Sequence, residues 1–217
     1  MAYRPTVARQ DRDLELRERI LDCALQRVAE GGFAALTMQA LAEDVGIATG
    51  SLYRHFRGKG ELAAEVFARA SQLEVDTLAA VLRGPGTPDQ RLAEGLRQFA
   101  ARAWHSRRLA FALIAEPVDP EVDEQRLLYR EAYAKLYADL LREGVAAGAF
   151  RLTAISLVAA CLVGATAESL VGPLSPPARA ARAAGHALPD LGEVSQTLVT
   201  FCLRAVGAQL PAEEPQP

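Results

Sequence analysis

The 217-residue chain is poor in the residues from which most enzymatic and metal sites are built: it has three cysteines, three histidines, two methionines and one tryptophan. Cys23, Cys161 and Cys202 lie far apart, each in an apolar helical pattern. Their spacing fits no zinc site, and an odd count argues against a disulfide framework. They read as small buried hydrophobes, with a thiol switch at Cys161 or Cys202 as the alternative. His55, His105 and His186 fall in separate regions, and there is no nucleophile elbow, phosphate-binding glycine loop or His–carboxylate cluster. An enzyme is therefore not expected, and nothing asks for a metal or a cofactor. Charge of one sign is not in large excess either: 24 basic against 27 acidic residues leave a net charge of −3, so the whole molecule is no obvious polyanion binder. The most hydrophobic segment, 152–167, runs sixteen residues before Glu168 closes it, short for a bilayer span. The N-terminal MAYRPTVARQDRD has no apolar signal core. These features predict a cytoplasmic protein with no membrane partner. Sustained two-residue alternation is missing throughout, so the fold class is all-α.

What is present concentrates between Thr37 and Lys59, TMQALAEDVGIATGSLYRHFRGK. Thr37 can cap a first helix through its hydroxyl, and Leu41, Ala42 and Val45 give that helix an apolar face. Gly46 stands where a positive φ would stop the helix and turn the chain, and Ile47 can plug the corner. A second helix, Thr49 to Phe56, would turn Leu52 and Phe56 inward and leave Thr49, Ser51, Tyr53, Arg54 and His55 outward. This is the pattern of a helix-turn-helix, whose second helix enters a DNA major groove. Arg54, Arg57 and Lys59 fall together with no acid between Asp44 and Glu61, so phosphate contacts there would make binding salt-dependent. Gln39, Thr49 and Ser51 are the candidates for base contacts, and Thr37, Tyr53, Arg54, His55 and Lys59 for phosphate. Alternatively, Tyr53 is a half-buried core tyrosine and His55 a surface histidine.

The run from Ile20 to Leu62 resembles the DNA-binding domain of the TetR family of bacterial transcription regulators. The residues that carry the likeness are Gly31-Gly32-Phe33, Thr37, Leu41-Ala42, Gly46-Ile47 and above all Gly50-Ser51-Leu52-Tyr53-Arg54-His55-Phe56, then Lys59 and Leu62. Ala48 stands where the family often has Ser, which removes a side-chain cap that Thr49 could replace. Gly58 and Gly60 stand where Ser and Glu are usual, loosening the start of the fourth helix. The resemblance implies a homodimer on double-stranded operator DNA, joined through its last two long helices, with a small-molecule effector site between.

The rest of the chain reads as helices: 13–30, 60–82, 88–104, 107–115, 121–147, 153–171 and 190–206, about nine in all with the helix-turn-helix. Gly172 to Pro189 reads as a loop and 208–217 as a disordered tail. The expected domains are a three-helix DNA-binding unit, 1–60, and a helical ligand-binding and dimerisation unit, 61–207. Small residues at Ala160 and Gly164 would let two helices approach closely, with Leu198 and Phe201 of the last helix completing a four-helix contact between two copies. Phe99, Trp104, His105 and Phe111, with the i, i+4, i+8 row Tyr129, Tyr133 and Tyr137, are the candidate lining of an apolar cavity. Leu128, Ala132, Leu136 and Leu140 form a second, buried stripe beside them. Glu168, alone in an apolar helix, is expected to pair with an arginine such as Arg102, to bind a polar ligand group, or to reach solvent. The functional expectation is a ligand-responsive repressor released from a pseudo-palindromic operator by a small hydrophobic effector. A thiol-based redox regulator, or a small-molecule binding protein without operator specificity, are the alternatives.

Overall fold

A computed structural model describes residues 7–209, which form ten α-helices and one 3-10 turn, with no strand among the described residues. In order these are α1 (Val7–Gly31), the 3-10 turn (Phe33–Ala35), α2 (Met38–Val45), α3 (Thr49–Leu52), α4 (Lys59–Leu82), α5 (Pro88–His105), α6 (Arg107–Ile114), α7 (Pro120–Ala146), α8 (Ile155–Leu174), α9 (Pro176–Ala183) and α10 (Leu191–Ala205).

Two main cores result from the apolar spacing. The N-terminal head buries Ile20, Ala24 and Val28 of α1 against Leu41, Val45, Leu52 and Phe56. The body packs Leu78 and Leu82, Leu92 and Leu96, Leu136 and Leu141, Leu162 and Leu198. α4 serves both: its first turns give Leu62, Val66 and Phe67 to the head, and its last turns give Val75, Leu78 and Leu82 to the body. Ala112 of α6 and Val122 of α7 also enter the head core. A smaller cluster, with Ala100, Ala110 and Leu170, fills the space between α5, α6 and α8.

Several expectations need correction. The stretch 172–189 is not all loop, because α8 runs on to Leu174 and α9 follows at once. Its prolines read as breakers, but Pro176 sits at the first helical position, where a fixed φ and a missing N–H cost nothing. Ser175 caps that turn by accepting from the Ala178 amide at 3.3 Å. α1 begins at Val7, earlier than the expected residue 13. α3 is four residues rather than eight; the chain goes on in hydrogen-bonded turns, His55 N–H to Leu52 O at 2.9 Å and Phe56 N–H to Leu52 O at 3.0 Å. Leu128 is 56% exposed and leaves the buried stripe that Leu136 and Leu140 keep. Of the expected tail, Ala208 packs against the body core and 210–217 lie outside the described residues.

Candidate DNA-binding face and internal cavity

The turn between α2 and α3 is built as its residues dictate. The Thr37 hydroxyl accepts from the Ala40 amide at 3.2 Å and caps α2. Gly46 takes φ 74°, and Ile47 N–H donates to Ala42 O at 3.0 Å, closing the helix in a left-handed turn. Ile47 packs half-buried at the corner. No side chain caps α3: Ala48 has none to offer, and Thr49 does not replace it. The start of α4 is firmer than its glycines suggest, since the Glu61 carboxylate accepts from the Arg57 amide at 2.5 Å. That bond holds the Glu61 carboxyl below its ordinary value.

Leu52 and Phe56 point inward as expected. Thr37, Gln39, Tyr53 and Arg54 are exposed, while Thr49, Ser51, His55 and Lys59 are half-buried. Arg54 donates to the Ser51 hydroxyl at 3.2 Å, and Lys59 Nζ lies 3.9 Å from Asp119. Ion pairs tie α1 to α2 and to α4. Arg27 pairs with Asp44, Arg69 with Glu18 and Asp22 at 2.8 Å each, and Arg17 lies 4.9 Å over the Phe56 ring.

Within the body, α4 to α8 line a partly open cavity of about 130 Å³. Phe99, Tyr129, Tyr133 and Tyr137 line it as expected. Phe99 meets Tyr133 edge-on at 5.9 Å, and the Tyr129 hydroxyl donates to Gln72 at 3.3 Å. Burial raises the Tyr133 and Tyr137 hydroxyls well above the ordinary tyrosine value; Glu74 adds to this at Tyr133, and a Thr166 hydrogen bond offsets part of it at Tyr137. The apolar wall comes from Phe67, Leu109, Leu113 and Val163.

Beside the tyrosines, the polar lining is Ser71, Glu74, Arg102, Ser106, Arg126, Arg130 and Thr166, none of which was expected there. A signal for two of these existed, because 126, 129, 130, 133 and 137 follow one helical face of α7. Arg102 pairs with Glu74, at 2.6 and 2.8 Å, and that hydrogen bond raises the Arg102 value. Arg102 is therefore not the partner of Glu168, which lies exposed on α8 because α8 turns its Leu162, Thr166 and Leu170 face inward instead.

Trp104, His105 and Phe111 do not line the cavity. Trp104 is held outside between the Arg107 and Arg182 guanidinium groups, 4.8 and 4.7 Å from its ring, and so pins α9 to the α5–α6 corner. His105 is exposed, and Phe111 packs in the small third cluster. Of the expected pairing residues, Ala160 and Gly164 are exposed on α8 and Phe201 is 59% exposed on α10, whereas Leu198 is buried within the subunit's own core. α8 is twenty residues long and, by length and composition, apolar enough to cross a membrane; its inward face is part of the body core. Cys23 is half-buried, Cys161 exposed and Cys202 buried, and burial pushes the Cys202 thiol up to about 12, which removes it as a ready thiolate.

Residues 20–66 match the model for bacterial regulatory proteins of the tetR family, and residues 85–188 match the tetracyclin repressor-like C-terminal domain. Between them the two models take in most of the chain. Among similar proteins, the HTH-type transcriptional repressor KstR of Mycolicibacterium smegmatis is 42% identical over 79 residues, 36% of this chain and 38% of that protein. KstR2 of the same organism is 28% identical over 140 residues, 62% of this chain and 67% of that protein. The matched segments thus span from under two fifths to two thirds of these relatives. Among solved structures, the transcriptional regulator FadR from Bacillus subtilis in complex with stearoyl-CoA shares the fold with a TM-score of 0.71 at 17% identity, over 87% of this chain and 98% of that one. FadR from Bacillus halodurans aligns with a TM-score of 0.68 at 19% identity, over 86% and 97%.

Proposed function

The chain belongs to the TetR family of bacterial regulatory proteins, and from that premise we propose that it is a cytoplasmic, homodimeric repressor which a small amphipathic effector releases from a pseudo-palindromic operator. The observation that carries this reading is the double duty of Phe67. Its ring belongs to the core of the DNA-binding head and also to the wall of the body cavity. An occupant of the cavity on its Phe67 side would therefore touch a residue of the head's own core, on the helix that leaves the head. Coupling of this kind needs an effector with unequal affinity for two placements of α4; tight binding alone shifts nothing.

The boundary between head and body is taken at residue 60, at the start of the shared helix. On this reading Gln39, Thr49 and Ser51 approach bases, and Thr37, Tyr53, Arg54, His55 and Lys59 hold phosphates. Two copies would pair through the exposed faces of α8 and α10, so that their α3 segments meet successive major-groove turns about 34 Å apart. The cavity combines an apolar wall with tyrosine hydroxyls and arginines, which suits an effector with both an apolar and a polar part. Its about 130 Å³ is below the usual range for drug-sized ligands, so a larger effector would have to widen it. FadR of Bacillus subtilis, seen with stearoyl-CoA, is consistent with amphipathic ligands on this fold.

A panel of amphipathic acids, alcohols and neutral apolar compounds, titrated against the protein–DNA complex, tests the proposal. At least one should weaken DNA binding about tenfold, a coupling of roughly 1.4 kcal/mol. Val163→Trp, which fills the cavity, should abolish that response while leaving DNA binding intact. Release that persists unchanged in Val163→Trp would place the effector elsewhere.

A further inference from the structure

Resting on the reading of the cavity as an effector site, we propose that the effector carries an anionic group, that Arg126 senses it, and that Glu116 passes the signal to the DNA-binding head. Three arginines, Arg102, Arg126 and Arg130, line the cavity against one carboxylate, Glu74, and that carboxylate is already committed to Arg102. Arg130, exposed and one turn along α7 from Arg126, makes no ion pair among the described residues. Arg126 is the more buried of the two, its side chain 15% exposed. It donates to three neutral carbonyls at the end of α6: Leu113 O at 3.1 Å, Ala112 O at 3.4 Å and Glu116 O at 2.9 Å. Its one ion-pair partner, Asp123 at 2.6 Å, is 59% exposed, so water screens that pair, and the Glu116 carboxylate adds only a weaker attraction. Burial lowers the Arg126 value, the mark of a cation short of compensation. An anion in the cavity offers it charge-assisted, two-pronged hydrogen bonds, which are roughly twice as strong as those to neutral carbonyls.

The same residue controls a route to the head. Glu116, whose carbonyl Arg126 holds, extends its carboxylate to the backbone amides of Phe33 and Ala34, at 3.0 and 3.1 Å. Those amides open the 3-10 turn that leads into α2. Gly32 takes φ 77°, a left-handed conformation that favours glycine, and the Glu116 carboxylate lies against it, 2.4 Å from where a Cβ would stand. A row of rings runs beside this path: Phe33 lies 6.4 Å from Phe67, Phe67 lies 6.1 Å from Tyr129, and the Arg126 guanidinium is 5.8 Å over Phe67. One residue, Glu116, thus separates the cavity wall from the turn that positions the helix-turn-helix. When an anion draws the Arg126 guanidinium into the cavity, the Glu116 carbonyl loses its donor. The Glu116 main chain then keeps its amide's bond to Phe111 O, at 3.1 Å, but loses its tie to α7, which loosens the hold of the carboxylate on the head.

Octanoate and 1-octanol, equal in chain length and different in charge, are the probes. Their binding to the full chain is followed by calorimetry, and amide hydrogen exchange is read at Phe33 and Ala34. Octanoate should bind about tenfold more tightly than octanol and raise exchange at those two amides about tenfold, whereas octanol should not. Arg126→Gln should erase the preference for octanoate. Glu116→Gln, which does not depend on Arg126→Gln folding, should keep the preference while exchange at the two amides is already fast without any probe. Equal binding of the two probes to the wild type would overturn the anion sensor and leave the cavity reading standing. Octanoate binding with unchanged exchange would overturn the relay. Binding of neither probe would overturn the cavity reading and, with it, the proposal.

Discussion

Lys59 has a choice of partners. Its ammonium group lies 3.9 Å from Asp119, and both side chains are about two fifths exposed, so the pair is worth at most about 1 kcal/mol. A duplex offers phosphates in its place. Lys59→Ala should therefore weaken DNA binding across sequences alike and reduce the salt slope by about 1; anisotropy titrations over a range of salt would show this, and an unchanged slope removes Lys59 from the interface. Inside the body, buried protons set a different limit. Burial pushes the Cys202 thiol from 9.0 to about 12 and raises Tyr133 and Tyr137 as well. In each case the folded value lies above the unfolded one, so the folded state keeps protons that the unfolded chain gives up. Their contribution is complete at pH 7 and is lost as pH rises through about 9 towards 12. Thermal midpoints should fall steadily above pH 9, and Cys202→Ala should flatten the first part of that fall. A midpoint level from pH 8 to pH 11 in the wild type would contradict this burial-linked titration.

At the scale of elements, α8 and α10 present two kinds of apolar residue. Leu198 is closed within the subunit, while Phe201 is 59% and Leu157 66% exposed on the outward faces. Phe201→Glu should therefore give a folded monomer by sedimentation, with circular dichroism unchanged, whereas Leu198→Glu should unfold the subunit by burying an unpaired charge. A Phe201→Glu protein that stays dimeric would move the pairing surface away from α10. The same contrast explains what could be read in advance. The helix-turn-helix was legible because Thr37, Gly46, Leu52 and Phe56 act locally: a cap, a left-handed turn and an i, i+4 pair need no tertiary knowledge. α9 was not, because Pro176 breaks a helix or begins one according to the residue before it, and Ser175 makes it begin. The cavity was half legible. The tyrosine row of α7 marked its face, but nothing local distinguishes Arg126 inside from Arg142 outside, or tells that α8 turns Glu168 away. Trp104 was misplaced for a similar reason, since the arginine that pins it, Arg182, comes from a helix the pattern did not reveal.

Over the whole molecule, α4 joins a DNA-binding head to a body with an internal cavity, and Phe67 and Glu116 bring the two within a few ångströms of each other. Net charge is slightly negative, so attraction to DNA would come from local basic groups such as Arg54, Arg57 and Lys59 and not from the molecule's overall field. That arrangement predicts binding that is specific, dimeric and strongly dependent on salt. The most direct measurement is selection of bound duplexes from a random DNA pool by the full chain, followed by titration of the enriched sequence at two salt concentrations. The account predicts a pseudo-palindrome with half-sites spaced by about one helical turn, bound as a dimer and weakened by added salt. A folded protein that enriches no sequence, or binds all duplexes alike, would contradict it.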